Sequence, residues 1–347
     1  MVVDVEERHG EGEARDDDTV HLAGGVGIEG NGADMTCGSR TTATLVSGVG
    51  SGSDGRRVSL SVEEGTSRVA VSFYDGTTGS LGVAVCADAT VSCDAGSAEV
   101  STVSSSGDVG LWSSMAWNPH GDMVVAYYNA TGGDLVLSRC LDTGCVSRST
   151  AVVDSFGDVG SHVALLVGAD SLPFMSYYDV TYERLKASKC SDRSCLGDTP
   201  FAVTLPTPTS TSSSTATATA SSLVSVGPGS TTIDDNGNGG DGSGVSGPWS
   251  DAIEGVDGLP VVVYTESPAG GVTVSYCLDP ACRSVRRVDL ASTQGLNVSH
   301  ISAVSGSGGR VVVGFYDTTA RSAKAVICDD ASCSSSSVVV VDGSSGV

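Results

Sequence analysis

One pattern recurs five times along this chain: a Val- and Tyr-rich run ending in an acid or its amide, a turn, and a second run closing on two cysteines. The copies are "RVAVSFYDGTTGSLGVAVCADATVSC" (68–93), "DMVVAYYNATGGDLVLSRCLDTGC" (122–145), "LPFMSYYDVTYERLKASKCSDRSC" (172–195), "LPVVVYTESPAGGVTVSYCLDPAC" (259–282) and "RVVVGFYDTTARSAKAVICDDASC" (310–333). Their second cysteines, Cys93, Cys145, Cys195, Cys282 and Cys333, lie 52, 50, 87 and 51 residues apart, so the period is about 50 with one insertion. Self-similarity at that period marks a chain built from stacked supersecondary units.

Each unit reads as four short strands. The first is an alternating apolar run such as "SSMAW" or "HVALLV", and the second is the Tyr-rich run with period-2 alternation. The third ends at the first cysteine, and the fourth follows the second cysteine, as in "STAVVD", "PFAVTL", "VRRVDL" and "SVVVVD". No twelve-residue segment has helical periodicity. The expected fold is all-β, a β-propeller of four-stranded blades. A β-solenoid is the alternative, although its coils are usually shorter. Five complete units are present, which leaves open a five-bladed ring and a truncated six- or seven-bladed one.

Boundaries follow from composition. Residues 1–36 read as an acidic disordered tail. Residues 37–205 hold an orphan strand and three repeats, 206–247 form a Ser/Thr/Pro- then Gly-rich insertion, and 248–347 hold two repeats. The insertion suits a flexible loop, with an O-glycosylated stalk as the alternative. "MTCGSRTTATLVSG" aligns with the region after a second cysteine, so a partner for Cys37 is expected upstream.

The cysteines pair within units: Cys86 with Cys93, Cys140 with Cys145, Cys190 with Cys195, Cys277 with Cys282 and Cys328 with Cys333. Zinc would need two pairs converging with further ligands, yet none of the five histidines lies near a pair. A redox C-x-x-C motif would not be copied five times. Disulfides that clip the turn between third and fourth strands are therefore expected, and with them an oxidising, extracellular or cell-surface setting. The sequons at Asn129 and Asn297 are compatible with secretion and are candidate glycosylation sites. The first residues lack the apolar core of a signal peptide, so an incomplete N-terminus is expected.

Acidic residues number 41 against 18 basic ones, a net charge of −23, which argues against nucleic acid or anionic membrane as partners. No apolar run is long enough for a membrane-spanning helix, so no membrane insertion is expected.

The combination of "GDVG", "LPxxSYYD", "GDL" and "CxDxxC" resembles tandem repeats of about 50 residues in secreted proteins of bacteria and some algae. That resemblance covers roughly residues 40–342 apart from the insertion. It implies a propeller-like fold and no established activity. The acid-turn-glycine hairpin is also similar to the Asp-box of sialidase-like propellers, without the tryptophan that closes an Asp-box.

Candidate sites must be weighed against packing. The acid after the aromatic pair (Asp75, Asn129, Asp179, Glu266, Asp317) suits an Asx-turn at a hairpin tip. The Cys-x-Asp acid, read as Asp88, Asp142, Asp192, Asp279 and Asp329, suits capping of the clipped turn. One ring of each pair Phe73/Tyr74, Tyr127/Tyr128, Tyr177/Tyr178 and Phe315/Tyr316 should pack inside, because neighbours on a strand face opposite ways. "DDNGNGGDG" (234–242) carries calcium-type oxygens but lacks the closing Glu of an EF-hand, so a disordered linker and no cofactor are expected, with calcium as the alternative.

The most informative position opens each first strand, where Trp112, His162, Trp249 and His300 alternate. Such rings could stack on a sugar or hydrogen-bond a polar ligand, or pack between blades. The leading expectation is a non-catalytic binding or adhesion module for a glycan or protein. A sialidase-like glycoside hydrolase and a purely structural matrix repeat are the alternatives. No nucleophile elbow, H-E-x-x-H or phosphate loop occurs.

Overall fold

The computed structural model describes residues 19–25, 40–47, 58–63, 65–87, 97–196, 230–232, 245–267 and 271–342. A two-stranded antiparallel ribbon joins β1 (Thr19–Gly25) to β2 (Arg40–Ser47). β1 falls inside the stretch read as an acidic tail, where Val20 and Leu22 alternate with polar residues.

Five four-stranded antiparallel sheets follow. Blade 1 is β3 (Ser59–Val62), β4 (Val69–Asp75), β5 (Ser80–Cys86) and β6 (Glu99–Ser104). Blade 2 is β7 (Val109–Trp117), β8 (Met123–Asn129), β9 (Asp134–Cys140) and β10 (Arg148–Asp154). Blade 3 is β11 (Val159–Val167), β12 (Pro173–Asp179), β13 (Arg184–Lys189) and β14 (Ser230–Thr232). Blade 4 is β15 (Val245–Glu254), β16 (Pro260–Ser267), β17 (Val272–Cys277) and β18 (Val285–Asp289). Blade 5 is β19 (Val298–Ser305), β20 (Val311–Asp317), β21 (Ser322–Cys328) and β22 (Ser336–Asp342). Each sheet, or blade, is a simple meander, and the described residues form a nearly all-β structure.

The chain divides into two compact units, 1–151 and 152–347. In the first, β5, β7, β8 and β9 surround a core that includes Leu81, Val83, Met115, Val125 and Tyr127. In the second, one core gathers Phe174, Leu185, Val262 and Tyr264, and another Val263, Val274, Val313 and Phe315. Middle strands such as β8 are buried along nearly their whole length because both faces are covered. The expected ring alternation holds in three pairs, where Phe73, Tyr177 and Phe315 are buried and their neighbours are half-buried or exposed, whereas Tyr127 and Tyr128 are both buried.

Local motifs explain the repeats. Gly107 and Gly157 of the "GDVG" turns adopt φ +99° and +91°, and a Cβ on either would sit 2.5 or 2.7 Å from Thr131 or Thr181 Oγ1. Those same hydroxyls accept the N–H of Asp108 and Asp158 at 2.8 and 2.7 Å. Glycine is therefore required by conformation and by space. At the hairpin tips, Asp75 accepts Thr77 N–H, Asn129 accepts Gly132 N–H, Asp179 accepts Tyr182 N–H and Asp317 accepts Thr319 N–H, the Asx geometry read from the sequence.

Disulfides join Cys140 to Cys145, Cys190 to Cys195, Cys277 to Cys282 and Cys328 to Cys333, with Cα separations of 4.6–4.9 Å. Cys86 is disulfide-bonded as well, while Cys93, Cys37 and Asp88 lie outside the described residues. Each second cysteine of the four clips takes a left-handed backbone, φ +52° to +59°. Asp142, Asp192 and Asp279 accept backbone N–H groups of the clipped turn.

Two expectations are corrected. In the last clip the capping carboxylate is Asp330, which accepts the N–H of Ser332 at 2.7 Å and of Ser334 at 3.3 Å, rather than Asp329. Asp330 stands two residues after Cys328, the same offset as Asp142 from Cys140. Ser230–Thr232, inside the stretch read as a flexible insertion, pairs with β13 as the fourth strand of blade 3. An edge needs only a few β-branched residues, and the entropy of a longer connection grows slowly with its length. Residues 200–205 and 234–242 lie outside the described residues.

Candidate functional site

Three of the four candidate rings occupy one register position, created by a bulge, and Trp249 stands at a wider interruption. In β7, Leu111 pairs with Tyr128 and Ser114 with Ala126, so Trp112 and Ser113 together oppose Tyr127. In β11, His162 and Val163 oppose Tyr177, and in β19, His300 and Ile301 oppose Phe315. In β15 the interruption is wider, and residues 247–249 oppose Thr265. Such bulges re-aim a side chain out of the strand's alternation.

The bulged backbone is left-handed at Trp112 (φ +48°), His162 (φ +53°) and His300 (φ +53°). For a bulky side chain this is a sparsely populated conformation, costing on the order of 1 kcal/mol or more each time. Glycine would take the position freely, yet the repeat puts an aromatic ring there. That choice favours a role for the ring itself.

In the second unit the bulges bring three of the four rings together. His162 meets Trp249 edge-on at 4.9 Å between ring centres, and Trp249 lies 4.0 Å from His300 with ring planes 34° apart. Trp249 rests on the core beneath it and stays half-buried, whereas His300 is exposed and its Nδ1 lies 3.0 Å from Ser299 Oγ. Neighbouring inner strands are pinned so that this arc has a fixed spacing: Asp251 Oδ2 accepts the N–H of Ala303 at 2.8 Å, and the Ser176 and Ser250 hydroxyls lie 3.4 Å apart. In the first unit the corresponding ring, Trp112, packs against Tyr128 at 5.4 Å, and Ser59 Oγ plays the pinning part for Met115 N–H at 3.0 Å.

The sequence reading missed a second aromatic group at the same end of blade 3. Phe156 and Tyr182 lie with ring planes 7° apart and centres 6.1 Å apart, and both are exposed, at 38% and 51%. The Arg184 guanidinium sits 4.8 Å from the centre of the Tyr182 ring and is held by Asp179 at 3.4 Å. These rings stand where blade 2 has Ser106 and Gly132. Departure from the repeat was the signal that could have found them.

Beneath this pair lies a buried ionic network. Lys186 Nζ contacts Asp154 Oδ2 and lies 3.8 Å from Asp179 Oδ2, with all three side chains at 2% exposure or less. The Tyr177 hydroxyl donates to Asp154 at 2.7 Å. Enclosure makes this network architectural: it fixes the turn bearing Phe156, whose N–H donates to Asp154 Oδ1 at 3.0 Å.

Of the two sequon residues, Asn297 is exposed, and the Asn129 amide is engaged by Asp134 at 3.3 Å. Among the described residues, no group of three or more His, Cys, Asp or Glu side chains could hold a metal ion. No described helix is long and apolar enough to cross a membrane.

No protein-family model matches the chain, and no curated protein does. Among solved structures it is similar to the six-bladed β-propeller lectin of the fungus Aleuria aurantia, with a TM-score of 0.47 and 11% identity over 89% of this chain and 86% of that one. It is also similar to an exo-β-1,3-galactanase from Clostridium thermocellum (TM-score 0.44, 10% identity, 83% of this chain and 63% of that one). The NanB sialidase of Streptococcus pneumoniae gives a TM-score of 0.43 at 13% identity, over 70% of this chain and 33% of the sialidase. The chain therefore spans less than two thirds of the galactanase and about a third of the sialidase.

Proposed function

We propose that the protein is an extracellular binding module, with a neutral glycan as ligand and the His162, Trp249 and His300 arc as its site. The observation that carries this reading is the repeated placement of an aromatic ring on a left-handed bulge, where packing alone is served at lower strain by a smaller residue. Half-buried rings held from below present a rigid apolar face beside polar ring nitrogens, the combination that suits a sugar's C–H face and hydroxyls. Phe156 and Tyr182 extend that aromatic surface, and Trp112 supplies the equivalent ring in the first unit. The net charge of −23 favours neutral over acidic glycans by simple repulsion. Disulfide clips in repeated units fit an oxidising compartment.

A glycan array with the wild-type chain, Trp249→Ala and Trp112→Ala tests the proposal. Retention of a neutral glycan that Trp249→Ala loses at least tenfold is the expected result. Binding unchanged in both variants, with circular dichroism like wild type, removes the site.

A further inference from the structure

The residue before the first cysteine of a clip is a cation in blades 2 and 3. Arg139 Nη2 lies 2.9 Å from Asp122, and Lys189 Nζ lies 2.8 Å from Asp170 and donates to Leu172 O at 3.0 Å. The ladders put Arg139 opposite Val124, Lys189 opposite Phe174 and Tyr276 opposite Val261, so Tyr276 is the equivalent residue of blade 4. The facing turn of blade 4 nevertheless keeps the acceptors that Lys189 uses in blade 3. Asp257 Oδ1 accepts Leu259 N–H at 3.0 Å, as Asp170 accepts that of Leu172. Leu259 O accepts Gly255 N–H at 2.8 Å, as Leu172 O accepts that of Gly168.

Beside Tyr276 and Asp257 lies a cavity of about 250 Å³, lined by Ile253, Val261, Leu278, Glu254, Asp257 and Tyr276 among others. Tyr276 does not fill it. The Arg286 guanidinium lies 4.0 Å from the centre of its ring, anchored by donation to Ser332 O at 3.1 Å. Because the cation stands against the ring face, their contact is cation–π, and the Tyr276 hydroxyl is buried with no hydrogen-bond partner. The Glu254 and Asp257 carboxylates thus border this space, beside the strand position at which blade 3 carries Lys189.

We propose that this cavity binds an aliphatic primary ammonium group. Asp257 receives the ammonium as Asp170 receives Lys189, and Glu254 adds a second carboxylate to the wall. The alkyl stem lies on Ile253, Val261 and Leu278. Tyr276 and Arg286 form the opposite wall, where a carbonyl or carboxylate of the ligand finds donors. The ligand is a lysine-like amine, either a free small molecule or the side chain of a partner protein, and the strongly negative chain draws either one in. The site lies at the end of β15 opposite Trp249, so it stands or falls independently of the glycan proposal.

Calorimetric titration of the full chain at low salt tests it, with Nα-acetyl-lysine methylamide as the probe. The matching norleucine derivative, which has the stem without the charge, is the control. Saturable binding of the lysine probe alone is expected. Asp257→Asn, whose amide oxygen can still accept the Leu259 N–H, should weaken it at least tenfold, and Tyr276→Lys should abolish it by supplying the cation in cis. n-Butylamine binding as well as the probe assigns the site to free amines, and probe binding alone assigns it to a peptide side chain. Equal binding of probe and norleucine control overturns the proposal. So does an affinity unchanged in Asp257→Asn and Tyr276→Lys while both keep wild-type circular dichroism.

Discussion

Replacing Lys186 by Met tests whether the buried network of blade 3 is held by charge. The ammonium is 2% exposed and touches two carboxylates that are fully buried. At an effective dielectric of about 20, unit charges about 4 Å apart attract by about 4 kcal/mol, which is the scale of the 3.8 Å approach to Asp179. The desolvation of each ion, several kcal/mol, offsets most of that gain, so the intact network contributes little net stability. Its disruption is a different matter. Without Lys186, Asp179 keeps Arg184 at 3.4 Å, but Asp154 keeps only neutral donors, the Tyr177 hydroxyl and the Phe156 N–H. A buried carboxylate left in that state costs about 3–5 kcal/mol. Urea unfolding followed by circular dichroism should show that loss for Lys186→Met. Lys186→Met with Asp154→Asn should recover most of it, because the amide oxygen accepts the same two donors without a charge. The reasoning fails if the single variant loses less than about 1 kcal/mol, or if the double variant is no more stable than the single.

Three further outcomes are expected. The Tyr74 phenol is pushed up to about 12, first by burial and then by its 2.7 Å hydrogen bond to Asp108. The folded state therefore holds this proton while the unfolded chain releases it near pH 10. Its contribution is intact below pH 10 and is lost as pH rises toward 12, so Tyr74→Phe should flatten stability across that window. Asp279→Ala removes the acceptor of three backbone N–H groups, those of Ala281, Arg283 and Ser284. A loss of about 1–2 kcal/mol in thermal or urea unfolding is expected, as for a lost helix cap. Removing one clip as Cys277→Ala with Cys282→Ala should lower stability by about 2 kcal/mol, the loop-closure entropy of so short a ring. An equal effect of the double substitution under reducing and oxidising conditions would contradict a disulfide there.

The repeat made the fold legible. Alternation within short Val- and Tyr-rich runs, turn residues at fixed offsets and cysteines at constant spacing are local signals, and each strand and clip they mark is closed by near neighbours in sequence. That one aromatic of a pair turns inward followed from the same period of two for Phe73, Tyr177 and Phe315, while packing against Trp112 covers Tyr128 as well as Tyr127. The left-handed bulge was not legible, because nothing in "GSH" or "VSH" says that two residues there will oppose one on the next strand. Nor was the edge strand Ser230–Thr232, since its partner β13 lies some forty residues upstream and an open edge accepts any short extended segment.

Residue identity placed Trp112, His162, Trp249 and His300 at one repeat position. Only packing of adjacent blades decided that three of those rings touch, that Lys186 finds two carboxylates from different strands, and that a cavity opens beside Tyr276. Backbone patterning is written in neighbouring residues, whereas contacts between side chains from separate blades depend on distances that no stretch of sequence contains.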